Sequence, residues 1–269
     1  MKLSIITINK NNAEGLRRTM ESVVEQTYKD FEYIVIDGGS TDGSRELIEQ
    51  YSDHLSYWVS ESDTGIYNAM NKGLVKAKGE YVLMLNSGDW LVDERVLNNI
   101  TPLLDGTDIV QGDVLVSQNG KWLKNCGYGK SELTFRDVYN GCFLHQASFI
   151  RKELHDFYGL YDDTWKIAGD TVFFLNALGF GNATFKYVDV MVSCVEPQGV
   201  SSSAMPYWKR IHQVEDERYD ALLPPRLLRM CKEEEKKIDL YDDLHEKKLI
   251  WKGAMALRKL AILLGAKKK

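Results

Sequence analysis

Three aspartates next to glycines are the side chains in this sequence whose positions could support chemistry. Asp37 closes an apolar run and precedes two glycines, so its carboxylate could accept hydrogen bonds from a nucleobase or a ribose. Asp89 follows another apolar run, where a carboxylate can hold Mg²⁺ or Mn²⁺ on a diphosphate. Asp170 follows Gly169 ahead of an apolar segment. Each also has a structural alternative, because aspartate is common in turns and at helix starts.

Several familiar motifs are absent from the sequence. It contains neither the phosphate-loop pattern G-x-x-x-x-G-K-[ST] nor the dinucleotide pattern G-x-G-x-x-G. The nucleophile-elbow pattern G-x-S-x-G is missing as well. His145 lies inside an apolar run, where a histidine taken alone is more often a core residue than a catalyst.

Composition narrows the class of protein. The 269 residues are 44% hydrophobic and 27% charged, which is typical of a globular chain, and the five prolines favour one domain with an appendage. A net charge of -5 argues against nucleic acid as a partner. The four cysteines form no C-x-x-C pair, and no run approaches the roughly 18 apolar residues of a membrane span. We therefore expect a cytoplasmic protein.

Strand-like and helix-like segments must position these aspartates, and they alternate along the first half of the chain. The alternation predicts an α/β fold with a mostly parallel sheet flanked by helices. The strands are predicted at Leu3 to Ile8, Phe31 to Ile36, Leu55 to Val59, Tyr81 to Leu85 and Asp108 to Val116, and the helices after Asn12 and at Ser44 to Tyr51, Ile66 to Ala77 and Asp93 to Leu104.

The second half is less regular. Phe143 to Ile150 is predicted to be a strand and Asp170 to Leu178 a helix, and the chain from Pro206 onward is helical in pattern. Ligands of such sheets bind beyond the carboxyl ends of the strands. The residues that follow the first, second and fourth predicted strands are amides, hydroxyls and carboxylates, with Lys10 as the single basic residue, which favours phosphates shared with a cation.

Taken together, these segments resemble the family 2 glycosyltransferases of the GT-A fold. The resemblance covers about residues 1 to 200, in order and spacing, and the matching segments are LSIITINKNN, QTYKDFEYIVIDGGSTDGS, SESDTGIYNAMNKGLVKAKGEYVLMLNSGDW, FLHQASFIRKEL and WKIAGD. It implies a catalytic domain over residues 1–205, with a nucleotide-sugar half to about residue 115 and an acceptor half over 116–205. Residues 206–269 are predicted to be a helical extension.

The resemblance also implies roles for individual residues. Asp170 would be the general base, Asp89 the ligand of a divalent metal (Mn or Mg), and His145 and Gln146 would line the acceptor side. Gly199 and Ser201 would belong to a loop that closes over the diphosphate. The residues expected to bind the nucleotide sugar are Thr7, Asn9, Asn11, Asp37, Asp63, Gly65, Asn68, Asn71, Lys72, Asn86 and Ser87.

Two departures from the family pattern carry consequences. The family's metal motif often has two carboxylates, whereas Asn86 to Asp89 supplies one, so the diphosphate's own oxygens would complete the shell of the cation. Lys10 stands where the family commonly has an aromatic residue, so contact with a phosphate replaces stacking on the base as the expectation there.

The C-terminal segment 246–269 reads as a basic amphipathic helix. It could contact an anionic membrane at its cytoplasmic face, or it could pack on the catalytic domain with its basic face exposed. The first alternative suits a lipid-linked acceptor.

The expected function is inverting transfer of a sugar from a nucleoside diphosphate sugar, most simply a UDP-sugar, to a hydroxyl of a glycan or lipid-linked glycan in polysaccharide biosynthesis. A catalytically inactive GT-A module that only binds the nucleotide sugar or serves as a scaffold is the alternative. A sugar-phosphate nucleotidyltransferase would need a Gly-rich basic loop after the first strand, and none follows Ile8.

Overall fold

A computed structural model describes residues 1–118, 120–141, 143–196 and 206–233. The strands of its single mixed sheet are β1 (Leu3–Asn9), β2 (Phe31–Asp37), β3 (Tyr57–Ser60), β4 (Tyr81–Met84), β5 (Trp90–Leu91), β6 (Ile109–Gln118), β7 (Lys121–Asn125), β8 (Ser148–Arg151) and β9 (Phe185–Val195). The helices are α1 (Ala13–Val24), α2 (Ser44–Gln50), α3 (Ile66–Lys76), α4 (Val96–Ile100), α5 (Phe135–Asn140), α6 (Lys152–Tyr158), α7 (Gly169–Phe174) and α8 (Pro206–Asp220).

The sheet changes character halfway across. Its order is β3-β2-β1-β4-β8-β6-β9-β5, with β7 paired to β6. The first four strands in this order are parallel, whereas β8 runs antiparallel to both β4 and β6. The α/β prediction is therefore confirmed, and the parallel arrangement holds fully only in the first half. The antiparallel strand lets residues that precede β8 reach the edge where β1 and β4 end.

Continuous burial explains the regularity of the first half. Every residue of β1 is buried, and the β-branched Ile5, Ile6 and Ile8 suit a strand covered on both faces. The side chain of Asn12 accepts from the backbone N–H of Gly15 at 3.2 Å, so the predicted cap of α1 is confirmed. Sequence-predicted strands and helices in this half therefore agree with the structure to within a few residues.

The predicted strand at Phe143 to Ile150 is partly wrong. His145–Ala147 forms a short 3₁₀ turn, and β8 begins only at Ser148. The apolar residues that suggested a strand are buried for a tertiary reason, because the turn packs on β4, β6 and β9. His145 thus stands ahead of the strand, at the sheet edge, rather than inside it.

The chain is divided into two compact units, Met1–Tyr219 and Asp220–Lys269. The first unit extends past the boundary proposed after residue 205, because α8 contacts the segment before α7 through Glu215. The second unit contains a helical run over 225–233. Among the residues that the structure describes, no helix is both long enough and apolar enough to cross a membrane. The segment 246–269 lies outside the described residues.

Candidate functional site

The ends of β1 and β2 build a dense polar cluster. The Asn9 amide donates to Asp37 Oδ1 at 2.8 Å, and the Ser40 and Ser60 hydroxyls donate to the two carboxylate oxygens at 2.5 and 2.6 Å. The backbone N–H of Ser40 adds a fourth donor at 2.9 Å. Because Asn9 pairs with Asp37 in the parallel register, the strands themselves bring these side chains together.

Asp37 is ionised in this cluster. It has no exposed surface, and burial by itself would raise the pKa of its carboxyl, but the donors from Ser40, Ser60 and Asn9 hold that pKa below its usual range. The amide oxygen of Asn9 has no hydrogen-bond partner among the described residues. A nucleoside at this edge would therefore meet a fixed negative charge and one buried acceptor.

Two loops frame the same edge. Asn11 adopts a left-handed conformation (φ +49°), and its side chain accepts from the backbone N–H of Thr41 at 2.9 Å. Asp63 accepts from Gly65 N–H at 3.1 Å, and its other oxygen would lie 2.2 Å from a Cβ added at Gly38. Gly38 must therefore lack a side chain for the loop that carries Asp63 to approach the end of β2.

A second chain of polar contacts crosses from β4 to α7. Asn86 Nδ2 lies 3.3 Å from His145 Nε2, and His145 Nδ1 lies 3.0 Å from Asp170 Oδ2. The Tyr67 hydroxyl donates to Asp170 Oδ1 at 2.9 Å. These contacts join residues from the end of β4, the turn before β8, α3 and α7, and we refer to this group of residues as the cleft. Two predicted residues, His145 and Asp170, are in direct contact there.

His145 and Asp170 form an ion pair. Burial would lower the pKa of the His145 imidazole, but the hydrogen bond and charge of Asp170, with a smaller contribution from Asp89, raise it above its usual value. Burial would raise the pKa of Asp170, but His145 and Tyr67 hold it below its usual range. Asn86 Oδ1 has no hydrogen-bond partner among the described residues. When the Asn86 amide is rotated by 180°, Oδ1 faces His145 Nε2 and accepts a hydrogen bond from the imidazolium.

Gly169 is required for this contact. A Cβ at position 169 would lie 2.8 to 2.9 Å from three atoms of the Tyr67 ring. The absence of a side chain lets the ring pass under the start of α7, so that its hydroxyl reaches both Asp170 and the carbonyl of Ile167. Asp170 also accepts from Thr171 N–H at 3.0 Å at the start of α7, so its place at a helix start is compatible with a catalytic role, which stays a prediction.

Asp89 is a buried carboxylate of a different kind. It is 8% exposed, and none of the described residues donates a hydrogen bond to its side chain. Burial raises its pKa to about 7, opposed only by the charge of His145. The loop is held by Thr19, whose hydroxyl donates to the carbonyl of Asp89 at 2.7 Å and accepts from Gly88 N–H. Gly88 has φ +102°, a conformation that favours glycine.

This carboxylate fits a divalent cation that is shared with a substrate. An anionic oxygen with no protein donor is the kind of ligand that Mg²⁺ and Mn²⁺ accept. Within the described ranges, no group of three His, Cys, Asp or Glu side chains is arranged to hold a metal. A cation at Asp89 would therefore need further ligands besides these side chains.

Two other residues singled out from the sequence, Thr7 and Asn71, have hydrogen-bond partners within the protein. Thr7 has no exposed surface, and its hydroxyl bonds Leu85 O and Tyr33 OH. Both amide atoms of Asn71 are bonded to the backbone of Tyr161. Both side chains therefore contact neighbouring parts of the protein, and their contact with a nucleotide sugar stays a prediction.

The remaining predicted residues contact neighbouring loops. The Asn68 amide donates to Asp163 at 3.3 Å, and Lys72 pairs with Glu61 at 2.8 Å and donates to Ser62 O. Backbone carbonyls of Ser87 and Gln146 accept from Asn12 and Ser193. Gly199 and Ser201 lie outside the described residues.

Sequence reasoning missed Ser40, Ser60 and Tyr67. Ser40 follows the end of β2 and Ser60 is the last residue of β3, so the strand-end rule could have found both. Tyr67 gives no such signal, because it lies on α3 and is 103 positions from its partner Asp170.

Solved structures share this architecture. Residues 1–349 of TarS from Staphylococcus aureus, in complex with UDP-GlcNAc, match with a TM-score of 0.65 and 21% identity, over 80% of this chain and 65% of that one. The mannosyltransferase PcManGT from Pyrobaculum calidifontis, in complex with GDP-Man and Mn²⁺, matches with a TM-score of 0.58 and 19% identity, over 87% and 68% of the chains. The fold is GT-A, as predicted from the sequence.

Proteins of similar sequence are also named as glycosyltransferases. A protein named as an uncharacterised glycosyltransferase of Mycobacterium tuberculosis is 35% identical over 191 residues, which cover 65% of this chain and 68% of the relative. A glycosyltransferase of Mycobacterium bovis, named for PGL/p-HBAD biosynthesis, is 29% identical over 209 residues, or 75% and 79% of the two chains. The model of glycosyl transferase family 2 matches residues 4–158, more than half of the chain, and the protein therefore belongs to that family.

Proposed function

We propose that this glycosyltransferase moves a sugar from a UDP-sugar to an acceptor hydroxyl in one displacement with inversion. Asp170 is the general base of the proposal. The observation that carries it is the placement of an ionised Asp170 in the cleft, held from two sides by His145 and Tyr67. The UDP-GlcNAc complex of TarS supports a uridine donor, and the proposal extends that choice to this chain.

The reaction balances without a covalent intermediate. The acceptor oxygen forms a bond to the anomeric carbon while the bond from that carbon to the diphosphate oxygen breaks. Asp170 takes the proton of the acceptor hydroxyl, and UDP leaves with the electron pair of the broken bond. The low pKa of Asp170 keeps its carboxylate ionised, so that it can accept the proton, and His145 is hydrogen-bonded to the same carboxylate.

The negative charge of the departing diphosphate needs to be neutralised. We propose that Asp89 would hold a divalent cation, which supplies charge neutralisation to the diphosphate when bound. The Mn²⁺ complex of PcManGT supports such use of a cation in this fold. Asn9, Asn11, Asp37, Asp63 and Gly65 are proposed to hold the nucleotide sugar.

The acceptor is proposed to be a glycan or lipid-linked glycan, approached from the side of His145 and Gln146. The name of the Mycobacterium bovis relative, which refers to PGL/p-HBAD biosynthesis, supports a role in biosynthesis. Peripheral contact of 246–269 with the cytoplasmic face of a membrane belongs to the same proposal.

The test is donor binding and turnover with Asp170→Asn. Calorimetry with UDP and a panel of UDP-sugars, with and without Mn²⁺, measures the donor site, and UDP release with candidate acceptors measures transfer. Asp170→Asn should bind donor as the wild type does and lose roughly 10²- to 10⁴-fold in transfer. Asp156→Asn, which changes an exposed carboxylate on α6, is the matched control and should keep full transfer.

The outcomes separate the alternatives. Near-normal transfer by Asp170→Asn would refute its role as the base. Donor binding by the wild type without release under any acceptor would favour the inactive binding module. Retention of the anomeric configuration in the product would contradict the single displacement.

A further inference from the structure

The carboxylate of Glu215 on α8 holds the segment that leads into Asp170. Glu215 is 6% exposed, and its oxygens accept from three consecutive backbone N–H groups. Ile167 and Ala168 donate to Oε2 at 2.9 Å each, and Lys166 donates to Oε1. Hydrogen bonds to an ionised acceptor are among the stronger ones in proteins. Asp170 follows only two residues after the last of these amides.

A second residue of α8 holds the preceding part of the same loop. The Arg218 guanidinium lies 3.9 Å from the centroid of the buried Trp165 ring. It also donates to Asp162 Oδ2 at 2.9 Å and to Thr164 Oγ1 at 2.7 Å. Glu215 and Arg218 are three positions apart, so they lie on one face of the helix. This face of α8 therefore holds the loop from residue 162 to residue 168.

The same segment is held from the other side by α3. The Tyr67 hydroxyl lies within hydrogen-bonding reach of both the carbonyl of Ile167 and Asp170 Oδ1, and its one proton is shared between these two acceptors. The peptide of Ile167 is thus fixed through its N–H by Glu215 and through its carbonyl by Tyr67. Its position determines where Asp170 enters the cleft.

We propose that Glu215 is a positioning residue for Asp170, an inference that rests on the proposed function of Asp170. The carboxylate fixes the backbone before α7, so that Asp170 stays within reach of the acceptor hydroxyl and of His145. A general base must be placed to within about 1 Å, because a displacement of that size can cost on the order of 100-fold in rate. The donor site stays intact without Glu215, since Asn9, Asp37 and Asp89 are positioned by β1, β2 and the end of β4.

The test compares Glu215→Gln with Glu217→Gln, which changes an exposed residue two positions along the same helix. Glutamine keeps the shape of the side chain but removes its charge and presents one N–H to a backbone donor. At a temperature where both variants are folded, Glu215→Gln should lower kcat at least roughly tenfold, while the KM for the donor and the Kd for UDP stay within about twofold. Glu217→Gln should match the wild type in all three quantities.

Amide hydrogen exchange provides a readout that does not depend on turnover. In Glu215→Gln, the peptide spanning residues 163–173 should exchange at least roughly tenfold faster, while peptides from β1 and β2 keep their protection. An unchanged exchange rate over 163–173 overturns the proposal. Faster exchange with unchanged kcat overturns it also, because the segment would then be loosened without effect on the base.

Two further outcomes distinguish a failure of the proposed role of Glu215 from a failure of the proposed function. If protection is lost everywhere and kcat, KM and Kd change together, Glu215 is only a stabilising residue and the proposal is wrong. If the wild type itself shows no transfer with any donor and acceptor, the proposed function fails. In that case an increase confined to 163–173 still supports the restraint of the loop, but the positioning role is overturned with the reaction.

Discussion

Replacing Asp89 by asparagine is expected to stabilise the metal-free protein at alkaline pH. Asp89 is 8% exposed and has a folded-state pKa of about 7, against an ordinary value of 3.8. At a pH between these two pKa values, Asp89 keeps its proton in the folded protein and has released it in the unfolded chain. The stability of the wild type therefore falls as pH rises from 3.8 to 7, and this difference in pKa corresponds to about 4 kcal/mol in total.

The substitution removes this dependence because asparagine carries no charge at any of these pH values. For the two pKa values above, the advantage of Asp89→Asn over the wild type should grow by about 2.5 kcal/mol between pH 5 and pH 8. For a unit of this size, that difference corresponds to roughly 5 to 10 °C in Tm. The other titrating groups are common to both proteins and cancel in the comparison, apart from His145, to whose raised pKa the charge of Asp89 makes the smaller contribution.

The assay is thermal or urea unfolding of the two proteins in a chelator, at intervals from pH 5 to pH 8. Asp53→Asn changes an exposed carboxylate away from the cleft, so its stability should change with pH in the same way as that of the wild type. Parallel curves for Asp89→Asn and the wild type would refute the argument that burial without donors raises the pKa of Asp89. Such a result would also remove the main physical reason for placing a cation there.

Two further predictions concern the core behind the site. Gly169→Ala places a Cβ 2.8 Å from the Tyr67 ring, so it should cost about 1 to 3 kcal/mol in the free energy of unfolding and lower transfer more than donor binding; unchanged stability and rate would show that the ring can move freely. His155 is stacked on Phe173 with ring centroids 4.3 Å apart, and burial lowers its pKa to about 4. Because the unfolded histidine binds its proton near pH 6.5, the wild type should lose up to about 3 kcal/mol as pH falls from 6.5 to 4. His155→Phe should lose less stability over this pH range, as measured by urea unfolding. An equal loss in the variant would contradict the lowered pKa of His155.

The first half of the fold could be predicted because its signals are local. β1 and β2 are uninterrupted buried runs, and the polar residues that follow them define the sheet edge without any knowledge of tertiary contacts. The pairing of Asn9 with Asp37 follows from the parallel register. These features depend on strand order and burial, which the alternation of strands and helices already indicates.

The second half could not be predicted in the same way. β7 is exposed along its whole length and has no apolar pattern to mark it. An apolar run such as Phe143 to Ile150 indicates burial but gives neither the direction of a strand nor the presence of a turn at His145. The partners of Asp170 are distant in sequence, and Tyr67 and Glu215 are brought near it only by the packing of α3 and α8.

The reversed direction of β8 has a consequence for how this fold can diversify. His145 is fixed at the sheet edge by the pairing of Tyr81, Val82 and Leu83 on β4 with the residues of β8. That pairing sets the distance between Asn86 and His145 whatever the length of the chain that connects the two strands. Longer loops between β5 and β8 can therefore change the surface around this edge of the sheet while the contact between Asn86 and His145 is kept.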